Sequence, residues 1–104
     1  MIRKAFVMQV NPGCEREYAR RHERLWYELE QTLKSHGVHD YSIFLHPGTR
    51  QLFAYAVVES EERWQAIART EACQRWWHHM AELMPTGEGH RPLATDLVEV
   101  FHLD

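Results

Sequence analysis

Cysteine, glycine, proline and long apolar runs are all scarce in this 104-residue chain, and each scarcity excludes a class of protein. The two cysteines, Cys14 and Cys73, form no C-x-x-C motif and have no metal-ligand spacing, so they read as reduced thiols of a cytoplasmic protein. The five glycines build no phosphate-cradling loop, and neither a nucleophilic serine elbow nor a Cys-His signature is present. No stretch approaches membrane-spanning length, and the first strand is not preceded by an apolar targeting segment. Charge of one sign is lacking too: twelve Lys and Arg against fifteen Asp and Glu leave a formal charge of −3. Arg20, Arg21 and Arg24 alternate with Glu17, Glu23 and Glu28, the mark of a solvated helix face rather than a nucleic-acid surface. Histidine is plentiful, yet His36, His39, His46, His78, His79, His90 and His102 offer no H-x-x-x-H pair with an acidic neighbour. The chain is therefore expected to use no metal.

What remains is an ordinary globular balance, 44% hydrophobic and 26% charged, in a length that suits one domain over residues 1–104. Residues 2–10 alternate, with Phe6, Met8 and Val10 on one side and Ala5 and Val7 on the other. After the Asn11-Pro12-Gly13 turn the period becomes helical, through Tyr18, His22, Leu25, Leu29 and Leu33, and Gly37 supplies a stop. Alternation returns over 41–46 and 51–58, joined by a turn at Pro47-Gly48. Ser60 caps a helix that opens with Glu61-Glu62, and Thr70 offers a second cap and hence a break. A further helix carrying Cys73, Trp76, Trp77, Met80, Leu83 and Met84 is expected to run to Pro85. A loop over 86–92 and a last strand over 96–103 complete the chain.

Strand, helix, strand, strand, helix, strand is the α+β, ferredoxin-like βαββαβ order: an antiparallel sheet with helices on one face. The strands are apolar on both sides. Leu52, Ala54, Ala56 and Val58 oppose Phe53, Tyr55 and Val57, while Tyr41, Ile43 and Leu45 oppose Phe44. Two helices can cover only one face of the sheet, so the second face is expected to meet the same face of another copy in a homodimer.

Tyr18 and His22 are four residues apart and share the apolar face of the first helix with Leu25, Leu29 and Leu33. A histidine so placed is either a hydrogen-bonded core residue or a proton-transfer group, since imidazole titrates nearest neutrality. Tyr41, on a strand that can face this helix, adds a third polar-tipped ring. Trp76 and Trp77 diverge by about 100° on their helix, so one belongs to the centre of the apolar stripe and the other to its edge. Flat indole faces beside phenols and an imidazole suit a small polyhydroxylated ligand.

The stretches Ile2–Pro12, Glu17-Tyr18 with Arg21-His22, Lys34-Ser35-His36-Gly37 and Tyr41-Ser42-Ile43 bear a further likeness. So do Ser60-Glu61-Glu62-Arg63-Trp64, Cys73-Gln74-Arg75-Trp76-Trp77 and Glu99-Val100-Phe101. In this order and spacing, over essentially the whole length, the chain resembles the L-rhamnose mutarotase family. The resemblance implies a cytoplasmic homodimer of the dimeric αβ-barrel type that interconverts the α and β anomers of L-rhamnose. It implies His22 as the proton donor, with Tyr18, Tyr41, Trp76 and Trp77 contacting the sugar. For ring opening His22 is then expected to enter protonated, as the acid to the ring oxygen, with the complementary base unassigned, and proton transfer of this kind requires no metal or organic cofactor. The same barrel also hosts cofactor-independent monooxygenases, haem-degrading enzymes and non-catalytic binding modules.

Two departures stand out. The family's Trp-Pro-Glu-Leu is here Trp26-Tyr27-Glu28-Leu29, and without the proline the first helix is expected to run on regularly. The loop after Pro85, similar to Asn-Pro-Asp-Asn-Ser-Pro in the family, is here Gly87-Glu88-Gly89-His90-Arg91-Pro92. That change bears on sugar preference wherever the loop rims the pocket.

Overall fold

The middle of the fold is set by strand β3, Gln51–Val58, whose alternate residues Leu52, Ala54, Ala56 and Val58 are all buried. In the computed structural model, which describes all of residues 1–104, β3 pairs antiparallel with β1 (Ile2–Gln9) on one side and β2 (Val38–His46) on the other. A two-residue strand β4, Thr95–Asp96, lies antiparallel along β1, giving the sheet order β2-β3-β1-β4. This is the ferredoxin-like arrangement expected from the alternation.

The helices cover one face. The sequence leads one to expect a single helix over 14–36, but it is two: α1, Glu15–Glu23, and α2, Tyr27–Ser35. The chain turns at Arg24 and takes an extended conformation at Trp26 (φ −58°, ψ 133°). Tyr27 then occupies the first helical position, the one where proline is best tolerated. A proline at this point would mark a boundary already fixed by packing, so its absence does not join the two helices. Leu25 and Trp26 pack against the core, and the Trp26 ring stands edge-on to Trp76 at 5.1 Å.

The expected break at Thr70 is present. Helix α3 (Glu61–Ile67) is capped by the Ser60 hydroxyl, which accepts from the Arg63 amide at 3.1 Å. Helix α4 (Glu71–Met80) is capped by Thr70, which accepts from the Cys73 amide at 3.3 Å. Each such cap contributes about 1 kcal/mol by satisfying an otherwise orphaned donor. α4 ends at Met80 rather than continuing to Pro85; a 3₁₀ turn, Ala81–Leu83, follows and keeps Leu83 and Met84 buried. At the α2–β2 corner Gly37 has φ +81°, and a Cβ there would stand 2.9 Å from the Glu59 Cβ, so only glycine fits.

The last strand is far shorter than its alternation suggests. Beyond Asp96 one more ladder bond forms, Leu97 N–H to the Ala5 carbonyl at 2.9 Å, and Glu99 pairs with Arg3. From there Val98, Val100, Phe101 and Leu103 lie open to solvent. An apolar alternation makes a strand only where a neighbouring edge accepts it, and this chain offers that edge only over Ala5, Phe6 and Val7.

The core is one cluster between the sheet and the helices, running from Met8 and Val10 through Tyr18, Leu29 and Trp76 to Met80 and Met84. The opposite sheet face carries Val7, Phe53 and Phe44 in one transverse row and Ala5, Tyr55 and Ser42 in the next. Phe44, Phe53 and Tyr55 are exposed there.

Candidate active site

A cavity of about 430 Å³ opens between the inner sheet face and the helices, and Tyr18, His22, Tyr41, Trp76 and Trp77 all line it. The local sequence explains the space. Ala54 and Ala56 on β3 stand opposite Phe6 of β1 and Tyr41 of β2 respectively, so the central strand is low where its neighbours are tall. The Trp64 indole of α3 spans the gap, 6.2 Å from the Phe6 ring and 6.0 Å from Tyr41. α1 closes another side through Tyr18 and His22, and α4 through Trp76 and Trp77.

The Tyr18 and His22 rings lie 4.4 Å apart, one helical turn from each other, and His22 meets Trp76 edge-on at 5.3 Å. The His22 Nδ1 is 2.9 Å from the Tyr18 carbonyl oxygen. A carbonyl only accepts, so Nδ1 donates and Nε2 is the nitrogen left to exchange a proton. Burial lowers the His22 pKa below its ordinary 6.5, partly offset by that backbone bond. That lowering favours the neutral ring, a proton acceptor at Nε2, whereas the reading from the sequence has His22 enter protonated.

The two phenols are held in their protonated form. Burial raises the pKa of Tyr18, aided by the nearby Tyr41, and burial likewise raises that of Tyr41. Tyr41 is 36% exposed as a residue, yet it lines the cavity beside the Trp64 ring. Both hydroxyls are thus O–H donors toward a ligand oxygen. Burial also pushes the Cys73 thiol up to about 11, so it takes part as a neutral apolar wall.

Trp76 is the buried member of the tryptophan pair and Trp77 the half-exposed one, as their angular separation requires. Trp76 is wedged behind by Trp26 (5.1 Å, 86°) and His79 (5.6 Å). α1 is pinned to the end of α4 by Arg21, which donates to Glu17 (2.8 Å), Glu82 (2.5 Å) and the His79 carbonyl (2.7 Å). The residue next to His22 therefore fixes the distance between the imidazole and the indoles. His78 and His90 meet edge-on at 4.7 Å, but no three His, Cys, Asp or Glu side chains are grouped to hold a metal ion.

Several lining residues escape sequence reasoning. Trp64 and Phe6 are among them, and only the strand register and their ring contact show that they flank an open space. Arg91, Pro92 and Asp96 come from the loop and the short last strand, where no periodicity tells which way a side chain points. The loop over 86–92 does rim the cavity. It is held by the Thr86–Pro92 bridge, and the Arg91 guanidinium lies 5.2 Å from the centre of the Trp77 ring.

Comparison with known proteins adds to this geometry. The family model for L-rhamnose mutarotase matches residues 3–103. A protein named L-rhamnose mutarotase from Opitutus terrae is 65% identical over 104 residues, covering the whole of both chains. The crystal structure of an L-rhamnose mutarotase from Formosa agariphila superposes with a TM-score of 0.92 at 38% identity, covering 100% of each chain. A putative antibiotic biosynthesis monooxygenase from Nitrosomonas europaea shares the fold alone, with a TM-score of 0.65 at 11% identity over 95% of this chain and 89% of its own.

Proposed function

The chain belongs to the L-rhamnose mutarotase family, and from that premise we propose that it interconverts the α and β anomers of L-rhamnose with His22 as the proton-transfer group. The observation that carries the assignment is the His22 ring itself. Its Nδ1 is tied to the Tyr18 carbonyl, its pKa is lowered, and it lines an aromatic cavity of sugar size beside two protonated phenols.

Mutarotation needs the anomeric hydroxyl to lose a proton and the ring oxygen to gain one. These two oxygens sit on the same carbon, so one imidazole nitrogen can serve both in turn. Neutral Nε2 takes the hydroxyl proton as the C1–O1 bond becomes a carbonyl. The electron pair of the breaking C1–ring-oxygen bond goes to the ring oxygen, which receives that proton back from the imidazolium. Rotation about C1–C2 presents the other carbonyl face, and the same steps in reverse close the ring. His22 so remains the donor to the ring oxygen, after first loading itself from the substrate. Such positioned acid–base transfer is worth roughly 10²- to 10⁴-fold. The Tyr18 and Tyr41 hydroxyls donate to sugar oxygens and fix the ring against His22, while Trp76 and Trp77 pack the apolar C–H face. Proton transfer is all the chemistry these steps ask of the protein, and the reading uses no metal or organic cofactor.

The assembly we infer is a homodimer through the outer sheet face. Phe44, Phe53 and Tyr55 form an exposed apolar band there, continuous in type with the exposed Val98, Val100 and Phe101 of the tail, and a second copy is the simplest self-complementary cover. The free thiols of Cys14 and Cys73 accord with a reducing compartment, and we place the protein in the cytoplasm on that ground.

Exchange NMR on L-rhamnose at anomeric equilibrium tests the activity. Wild-type protein is expected to transfer magnetisation between the two anomeric signals above the spontaneous rate, and His22→Ala to lose at least a hundredfold of that excess. Equal exchange with and without the wild-type protein would refute the function. Full exchange in a folded His22→Ala protein would refute the role of His22.

A further inference from the structure

We propose that Asp96 and Arg91 form the hydroxyl-reading wall of this cavity, a carboxylate acceptor and a guanidinium donor that select among sugars by the arrangement of their hydroxyls. The inference rests on the sugar-isomerase reading above and deepens it.

The backbone aims Asp96. In the β1–β4 ladder it stands directly opposite Phe6, and directly paired residues of an antiparallel ladder project to the same sheet face. Phe6 faces inward, packing on Trp64 and lining the cavity, so Asp96 points to the cavity side of the sheet edge and lines it as well. It is the only carboxylate among the lining residues, which are otherwise dominated by aromatic and aliphatic side chains. Arg91 approaches through the loop. That segment is closed by two hydrogen bonds between residues 87–88 and 91, Gly87 N–H to the Arg91 carbonyl (2.8 Å) and Arg91 N–H to the Glu88 carbonyl (3.3 Å). Its guanidinium rests over Trp77, and its charge is felt at the buried Cys73 thiol.

Neither side chain takes part in an ion pair or a side-chain hydrogen bond within the protein. Arg3, Arg20, Arg21, Arg63 and Arg75 each pair with a carboxylate, while Arg16, Arg24, Arg50 and Arg69 make no ion pair; among the unpaired arginines Arg91 is the one on the cavity wall. A carboxylate acceptor and a guanidinium donor left free on the exposed rim of one largely apolar cavity are what a neutral polyol requires. The carboxylate accepts from hydroxyls and the guanidinium donates to them, both by charge-assisted bonds. Indole faces cannot distinguish epimers that differ in the direction of one hydroxyl, whereas this pair can. A site built to bond a hydroxyl rejects strongly the analogue that lacks it.

The test uses exchange NMR to obtain kcat and KM for L-rhamnose and for its singly deoxygenated analogues, with wild type, Asp96→Ala and Arg91→Ala. For L-rhamnose each substitution is expected to raise KM roughly ten- to a hundredfold, with a smaller change in kcat. For one analogue, the one missing the hydroxyl that the residue binds, wild type and variant should coincide. Because Asp96 is bonded to no other side chain, its replacement should leave the melting temperature within about 2 °C of wild type. If wild type catalyses exchange and both variants keep its KM for every sugar, the wall is not a reading surface. If KM rises equally for all analogues, the residues shape the cavity without selecting hydroxyls, and the proposal is equally overturned. Absence of exchange in the wild type would instead reject the sugar reading beneath it.

Discussion

Trp26→Ala is a demanding perturbation because Trp26 lies outside the cavity and acts only through what it supports. Its ring is half-buried against the core, edge-on to Trp76 at 5.1 Å and tilted against His79 at 5.1 Å. Truncating a fully buried tryptophan costs about 3–5 kcal/mol. With part of the ring already solvated, roughly 2 kcal/mol of that applies, and the lost edge-to-face contact adds about 0.5–1 kcal/mol. At about 4–8 °C per kcal/mol for a domain of this size, the melting temperature should fall by roughly 10–20 °C at fixed protein concentration. The site should feel it too. Trp76 loses its backing, so KM for L-rhamnose should rise several-fold while His22, held by its own helix through the Tyr18 carbonyl, keeps most of kcat. Trp26→Phe retains an edge-on ring and should recover most of both losses. Calorimetry with exchange NMR on the same samples reads the result. A melting temperature lowered by less than about 3 °C, with KM unchanged, would refute the view that packing at Trp26 both breaks the first helix and seats the indole platform.

Two further outcomes are expected. Phe53→Asp places a carboxylate in the row formed with Val7 and Phe44, and sedimentation should show the wild-type dimer replaced by monomer; a monomeric wild type would sink the assembly proposed for this face. Hydrogen bonds from Arg20 and then Arg21 hold the Glu17 carboxyl down at about 2, against an ordinary 4.5. Its contribution to stability is thus complete above pH 4.5 and is lost as pH falls through about 2, so urea unfolding over pH 5 to 2 should lose less stability in Glu17→Gln than in wild type.

Much of this was legible in the amino-acid sequence, for reasons that can be named. β3 is bounded by a Pro-Gly turn and a serine cap, and its two-residue period matches its burial residue for residue. Tyr18 and His22 are fixed by helical periodicity alone, which is why they could be paired without coordinates. The break at Arg24–Trp26 was illegible because Leu25 continues the helical apolar stripe, and the decisive contact, Trp26 on Trp76, is tertiary. The tail from Leu97 misled in the opposite sense. Its alternation is that of a strand, but it finds the edge it would need only over Ala5, Phe6 and Val7. The sequence pointed to the loop that carries Arg91 but not to that side chain, and Asp96 could not be found from it. Asp96 is aimed by its register against Phe6, and Arg91 by a loop whose two left-handed residues, Gly89 and His90, no periodicity describes.

The protonation state of His22 is the point on which the proposed mechanism turns. The most direct test is the rate of enzyme-dependent anomer exchange of L-rhamnose measured across pH, with the spontaneous rate subtracted. Because burial lowers the folded-state pKa of His22 and the neutral ring is the form that begins the reaction, kcat/KM should rise with pH through a single step below 6.5. It should then stay level through neutrality. A rate that falls as pH rises through that range would show that the imidazolium is the resting acid, and would contradict the account.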